Sequence, residues 1–196
     1  ATASDDTDST WVATYNMLDS DTEGDISVTV NFQDYAGNDG PTKSVSDLLP
    51  SSTAVRFDKT PPNLISVSIS SNNSRNSSLA KVGDEISISF TGSHQLRTSP
   101  SVIINPGSDS SAATLTQGAD ATQWVATYTM LNTNTEGAIT FSIDFQDLAA
   151  NRGTIVTNVT DGSAIVFDKT ATDVSNILIS LDPNSDSGQL NNDKYT

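Results

Sequence analysis

The run Trp11-Val12-Ala13-Thr14-Tyr15 returns as Trp124-Val125-Ala126-Thr127-Tyr128. The echo continues through Glu23-Gly24 and Glu136-Gly137 to Phe32-Gln33-Asp34 and Phe145-Gln146-Asp147, always 113 residues apart. A later anchor, Phe57-Asp58-Lys59-Thr60 against Phe167-Asp168-Lys169-Thr170, is spaced by 110 residues, so three residues are deleted between the anchors. Self-similarity at a fixed period constrains the chain to an array of modules, and a period near 110 suits one small all-β domain. With the boundary set at the Phe-Asp-Lys-Thr anchor, residues 61–170 form a complete repeat. Residues 1–60 are the C-terminal half of the preceding repeat, and 171–196 are the first strand and linker of a following one. The expected object is a piece of a longer array.

Strict alternation of apolar and hydroxyl residues sets the local structure. Ile65, Val67 and Ile69 alternate with serines, and Ile86, Ile88 and Phe90 do the same after the turn at 82–84. Strands are also expected at 102–104, at 113–116, along the Trp124, Ala126, Tyr128, Met130 face, and along Ile139, Phe141, Ile143 and Phe145. A seventh, at 155–157 and 165–167, is interrupted by Asp161-Gly162. Period-two patterning without any helical period predicts an all-β chain of tandem sandwiches, with about seven strands per repeat. A jelly roll or an open barrel gives similar alternation. Residues 1–60 supply strands only at Trp11, 26–32 and 55–57, too few to bury both faces. Complementary strands must come from elsewhere in the protein or from a neighbouring subunit. Ile177, Ile179 and Leu181 read as a first strand with no sandwich following.

Composition removes several function classes. There is no cysteine, so neither a disulfide nor a thiolate metal site is available, and a single histidine, His94, excludes any site needing two imidazoles. A net charge of −15 opposes nucleic acid and anionic lipid while favouring solubility and cations. No apolar run approaches the roughly 20 residues of a membrane span, and the first 30 residues carry no basic region followed by a hydrophobic segment. High Ser, Thr, Asn and Asp with no Cys and few Lys is a balance often met in secreted surface modules; a disordered linker shares it, but the strict alternation of apolar residues argues against disorder.

Phe-Gln-Asp-x-Ala-x-Asn after the sixth strand and Phe-Asp-Lys-Thr-Pro-Pro after the seventh resemble motifs in the Ig-like repeats of giant bacterial surface proteins. Those proteins include biofilm-associated and RTX-type adhesins and swimming-motility surface proteins. The segment 181–188 is similar to the opening of a following module. The resemblance implies spacers of an extracellular array. The copies differ at Ala150 against Gly37 and at Ala171-Thr172 against Pro61-Pro62, which should leave the second junction less rigid.

Calcium is the sharpest site hypothesis. A hard cation needs six to eight oxygens, which Asp34 or Asp147 in the Asp-x-Ala-x-Asn loops, Asp58 or Asp168 at the last strand, and neighbouring carbonyls could supply. This reading puts loop and strand end at one pole, where Asp84 and Glu85 of the next module complete the shell and the ion stiffens the junction. The competing reading is that Asp and Asn serve their own turns. No Asp-x-Asp-x-Asp-Gly loop with a distal Glu occurs. Asp19, Asp21 and Glu23 become Asn132, Asn134 and Glu136 in the second copy, which favours a turn over a charged site.

Trp11 and Trp124 could stack on a sugar, but the alternating Trp-x-Ala-x-Tyr pattern points inward. His94 has no nucleophile elbow to serve, since no Gly-x-Ser-x-Gly occurs. Lys59, Lys81 and Lys169, the lysines considered for an isopeptide crosslink, fall at turns and strand ends where exposure is expected.

The expectation is therefore a non-enzymatic stalk, spacer or filament module at the cell surface, contacting adjacent repeats and neighbouring subunits. Two alternatives stand beside it: a carbohydrate- or host-surface-binding module, and a subunit of a filament built by strand exchange.

Overall fold

The computed structural model describes residues 2–3, 11–34, 36–44, 55–97 and 100–173. These are all β, with no helix among the described residues and so none long and apolar enough to cross a membrane. The strand expected at 177–181 lies outside the described residues, as does most of 171–196.

In the first copy the strands are short: β1 (Thr2–Ala3), β2 (Trp11–Val12), β3 (Gly24–Asp25), β4 (Thr29–Val30), β5 (Lys43–Ser44) and β6 (Arg56–Phe57). Among the described residues they pair as β1 with β2, β3 with β6 and β4 with β5. Trp11, Val28, Val30 and Phe32 are all exposed.

The second copy forms a closed core between two sheets. Its strands are β7 (Leu64–Ser71), β8 (Leu79–Ala80), β9 (Glu85–Gly92), β10 (Ser101–Pro106), β11 (Ser111–Ala112), β12 (Thr114–Gln117), β13 (Gln123–Thr129), β14 (Gly137–Asp144) and β15 (Val166–Phe167). One sheet runs β12-β13-β9-β7 and the other β11-β10-β14-β15-β8, antiparallel apart from β15 with β8. Inward residues of both sheets, among them Ile86, Ile88, Phe90, Trp124, Phe141, Ile143 and Phe167, make one buried cluster. This is the arrangement that alternating strands reach when each sheet has one apolar face.

Four details depart from the sequence expectation. The strand expected at 155–157 is reduced to a single bridge from Val156 to Ile143, with Ile155 exposed. Ile65 is 65% exposed, because the β7–β9 register slips between Leu64 and Ser66 and turns Leu64 toward the core in its place. A one-residue bulge reverses which side chains face inward. The chain also crosses between sheets around Ala113, so 111–112 joins β10 while 114–117 joins β13. Finally, β8 adds a short edge strand beside β15.

Register also fixes which ends of the strands lie together. Leu64 pairs with Gly92 and Ser101 with Asp144, and the turns between them meet through Leu96↔Asp147, which defines a leading pole where the chain enters the module. Glu85 pairs with Thr129 and Gly137 with Phe167, which defines the trailing pole.

Candidate functional site at the module junction

At the leading pole the Phe-Gln-Asp-Leu-Ala-Ala-Asn segment closes on itself. The Asp147 N–H donates to the Asn151 carbonyl at 3.1 Å, and the Ala150 N–H returns to the Asp147 carbonyl at 3.2 Å. The buried Asp147 carboxylate accepts the Asn151 N–H on Oδ1 and the Asn151 side-chain amide on Oδ2, both at 2.9 Å. An amide nitrogen carries two hydrogens. Asn151 Nδ2 also donates to the main-chain carbonyl of Asp58, at 3.0 Å, in the first copy. The first copy's own loop has the same internal geometry, with Asp34 accepting the Asn38 N–H and Nδ2 at 2.9 Å each. The Asn38 side-chain amide, with help from main-chain N–H groups, holds the Asp34 carboxyl below the usual carboxylate range.

The trailing pole is organised by Glu136 and Lys169. Glu136 accepts the Lys169 N–H at 2.7 Å and the Thr170 hydroxyl at 2.8 Å. These two bonds, the Thr170 hydroxyl first, keep the Glu136 carboxyl below its ordinary value. Lys169 Nζ donates to the carbonyls of Asn132 (2.9 Å) and Asn134 (2.8 Å). Asn134 Oδ1 in turn accepts from the Leu131 N–H and the Tyr128 hydroxyl. The first copy repeats every part. Glu23 takes the Lys59 N–H and the Thr60 hydroxyl, Lys59 Nζ reaches the Asp19 and Asp21 carbonyls, and Asp21 takes the Leu18 N–H and the Tyr15 hydroxyl. Asp21 and Asn134 thus do one job that needs an acceptor oxygen and no charge.

The expected convergence of Asp147 with Asp168 in one unit does not occur. Asp168 follows the strand paired with Gly137, at the start of β14, whereas Asp147 follows the end of β14. Eight residues at about 3.4 Å each separate those ends by about 27 Å. In the first copy Asp58 likewise follows the residue paired with Gly24, ten residues before Asp34. What does converge is Asp58 of one copy with Asp147 of the next, through Asn151. Asp84 lies at the trailing pole, away from both, tied to the segment after β13 by Met130 N–H to its carbonyl. Its buried carboxylate accepts from Asn73 Nδ2 and the Lys81 N–H and pairs with Lys81 Nζ at 2.7 Å. Burial pushes the Asp84 carboxyl up, and the Lys81 and Asn73 donors more than offset it, leaving a net depression. Asp58 and Asp168 each accept the N–H two residues on, from Thr60 and Thr170. Among the described residues no three His, Cys, Asp or Glu side chains gather as a metal-ligating group.

Trp124 is 6% exposed and offers no stacking platform, while Trp11 is 58% exposed. Exposed His94 has Ser93 Oγ 3.1 Å from Nδ1. Sequence reasoning missed the roles of Glu136, Lys169 and Asn151. Glu23-Gly24 and Glu136-Gly137 were visible in the echo, but their lysine partners lie beyond the three-residue deletion, so no constant spacing linked them. Comparison with family models, characterised proteins and solved structures finds no match.

Proposed function

We propose that the chain is a non-enzymatic structural segment of a long, repetitive extracellular protein, built from tandem Ig-like sandwiches that act as spacers. The observation that carries this reading is the duplication of both pole clusters, bond for bond, with a hydrogen bond from the second copy to the end of the first. The Ig-like assignment is supported by the strand order, four strands facing five with β14 central in the larger sheet. The short linker supports stiffness. Asp58 is held by Asn151, Pro62 is buried, and Asn63 exchanges two hydrogen bonds with Ser93, at 3.0 and 2.7 Å. Strong net negative charge keeps neighbouring modules soluble and extended.

The exposed inner face of Trp11, Val28, Val30 and Phe32 favours a second reading for the first copy, completion by complementary strands of a neighbouring subunit. Force-extension measurement on a chain of several repeats tests the spacer reading. Each cooperative rupture should release roughly 35 nm, about 3.3 Å for each of about 110 residues. Smooth extension without such steps would remove it.

A further inference from the structure

We propose that one peptide group, the Asp58–Lys59 unit, is the mechanical latch between successive modules, and that the asparagine of Phe-Gln-Asp-x-Ala-x-Asn exists to grip it. This rests on the tandem-array reading and names the contact through which the array is aligned.

The two polar ends of that peptide are held by different copies. Its N–H, on Lys59, donates to Glu23 of its own copy at 2.7 Å. Its carbonyl, on Asp58, accepts from Asn151 of the next copy at 3.0 Å. A trans peptide is planar and points its N–H and C=O in opposite directions. Glu23 and Asn151 are therefore fixed at opposite edges of one rigid plane, and the bearing of one copy on the next is set there. Asp147 is the positioning residue. With Oδ2 it takes one hydrogen of the Asn151 amide and so aims the other at Asp58, while Oδ1 fixes the Asn151 main chain.

The same parts stand ready on both sides of this junction. Asn38 is already oriented by Asp34 at the same distances, so the loop is built before it meets a receiver. Its second amide hydrogen suits the equivalent carbonyl of a preceding copy. At the other end the Lys169 N–H is taken by Glu136, and the Asp168 carbonyl is the equivalent receiver for a following copy. The partner of each loop is thus a main-chain carbonyl of a second copy of this repeat. The rule needs only a side-chain amide in the loop and a carboxylate four residues before it.

The test uses the intact, isotopically labelled chain. Nuclear magnetic resonance should detect a through-hydrogen-bond coupling from Asn151 Nδ2 to the Asp58 carbonyl carbon. Asn151→Ala should raise the rate of tryptic cleavage after Lys59 about fivefold, the usual effect of one net hydrogen bond on a local opening equilibrium, with the melting of the 61–170 module retained. If N151A fails to fold, the coupling in the unmutated chain decides alone. Absence of the coupling, or an unchanged cleavage rate in folded N151A, overturns the latch. Stepwise force extension without the coupling would remove the latch and leave the spacer reading, whereas the coupling without stepwise extension would do the reverse.

Discussion

Gly153→Ala should destabilise the complete module through one specific collision. A Cβ built on Gly153 would lie 2.5 Å from Cζ of Phe145 and overlap the neighbouring ring-edge carbons as well. Optimal carbon contacts are about 3.5–4.0 Å, so the ring or the loop must move by about 1 Å. The loop is restrained by the Gly153 N–H to Phe145 carbonyl bond at 3.0 Å, and the ring is 3% exposed among close-packed neighbours. Overpacking of this kind costs about 1–3 kcal/mol, and the restraints on both sides place this case near the upper end. Urea denaturation followed by the fluorescence of buried Trp124 would read it, and about 2 kcal/mol moves the midpoint by about 1 M for an m-value near 2 kcal/mol/M. Phe145→Leu removes the ring edge that collides, so G153A should be nearly harmless in its presence, giving a favourable coupling of about 1–2 kcal/mol in a double-mutant cycle. The first copy supplies the contrast. Gly40 faces Phe32 with the same 2.5 Å approach to Cζ, but Phe32 is 49% exposed and free to swing outward. G40A should leave the Trp124 transition unmoved. A cost for G153A below about 0.5 kcal/mol, or no coupling to F145L, would refute the argument.

Ala150 sits at φ 72° where the first copy has Gly37 at φ 86°, so Ala150→Gly should stabilise the module by about 0.5–1 kcal/mol in the same denaturation assay. Asn134→Asp should be close to neutral at pH 7 and Asn134→Ala should cost about 1–2 kcal/mol, since Asp21 accepts the equivalent two bonds in the first copy. The depressed Glu136 carboxyl binds fewer protons folded than unfolded, so its contribution is present above the ordinary glutamate pKa of about 4.3 and is lost as pH falls through the lower folded value. Glu136→Gln should therefore flatten the acid limb of a melting-temperature profile below about pH 4.3. Calcium titration separates the two uses of Asp147. A latch carboxylate leaves the melting temperature the same in excess calcium and in chelator, whereas a ligand carboxylate gains about 2.7 kcal/mol at a hundredfold excess over the dissociation constant.

Long buried strands were legible in the sequence because one residue in two must face the core, and Ile86 to Phe90 and Ile139 to Phe145 obey that without exception. Ile65 misled because a bulge is a pairing event, invisible until β9 is laid beside β7. The two-residue strands β8 and β11 carry too few residues to show any period. Asp34, Asp58, Asp147 and Asp168 were visible as a recurring set, yet which of them meet depends on strand direction. Alternation is the same whichever way a strand runs, so the pole of each aspartate could not be read from it. Asn151 was hidden for a different reason. Its partner is a main-chain carbonyl 93 residues away, and main-chain acceptors leave no mark on residue type.

The two copies form a controlled comparison inside one chain, since residues 11–34 and 124–147 share their signature while, among the described residues, its apolar face is covered in the second copy and exposed in the first. Where that face is covered, the signature makes a seven-residue β13 and an eight-residue β14 with buried Trp124 and Phe145. Where it is exposed, the same motif yields two-residue strands among the described residues, with Trp11 and Phe32 at the surface. The polar clusters behave oppositely. The Asp34–Asn38 loop and the Glu23–Lys59–Thr60 knot keep the bonds of their counterparts, although Val28, Val30 and Phe32 beside them are exposed. Strand length in this repeat is thus a property of the packed sandwich, because ladders form where apolar faces are covered. Loop and junction geometry is a property of short-range side-chain to main-chain bonds. Hook and receiver in this chain thus keep their geometry whether the apolar face beside them is covered or exposed.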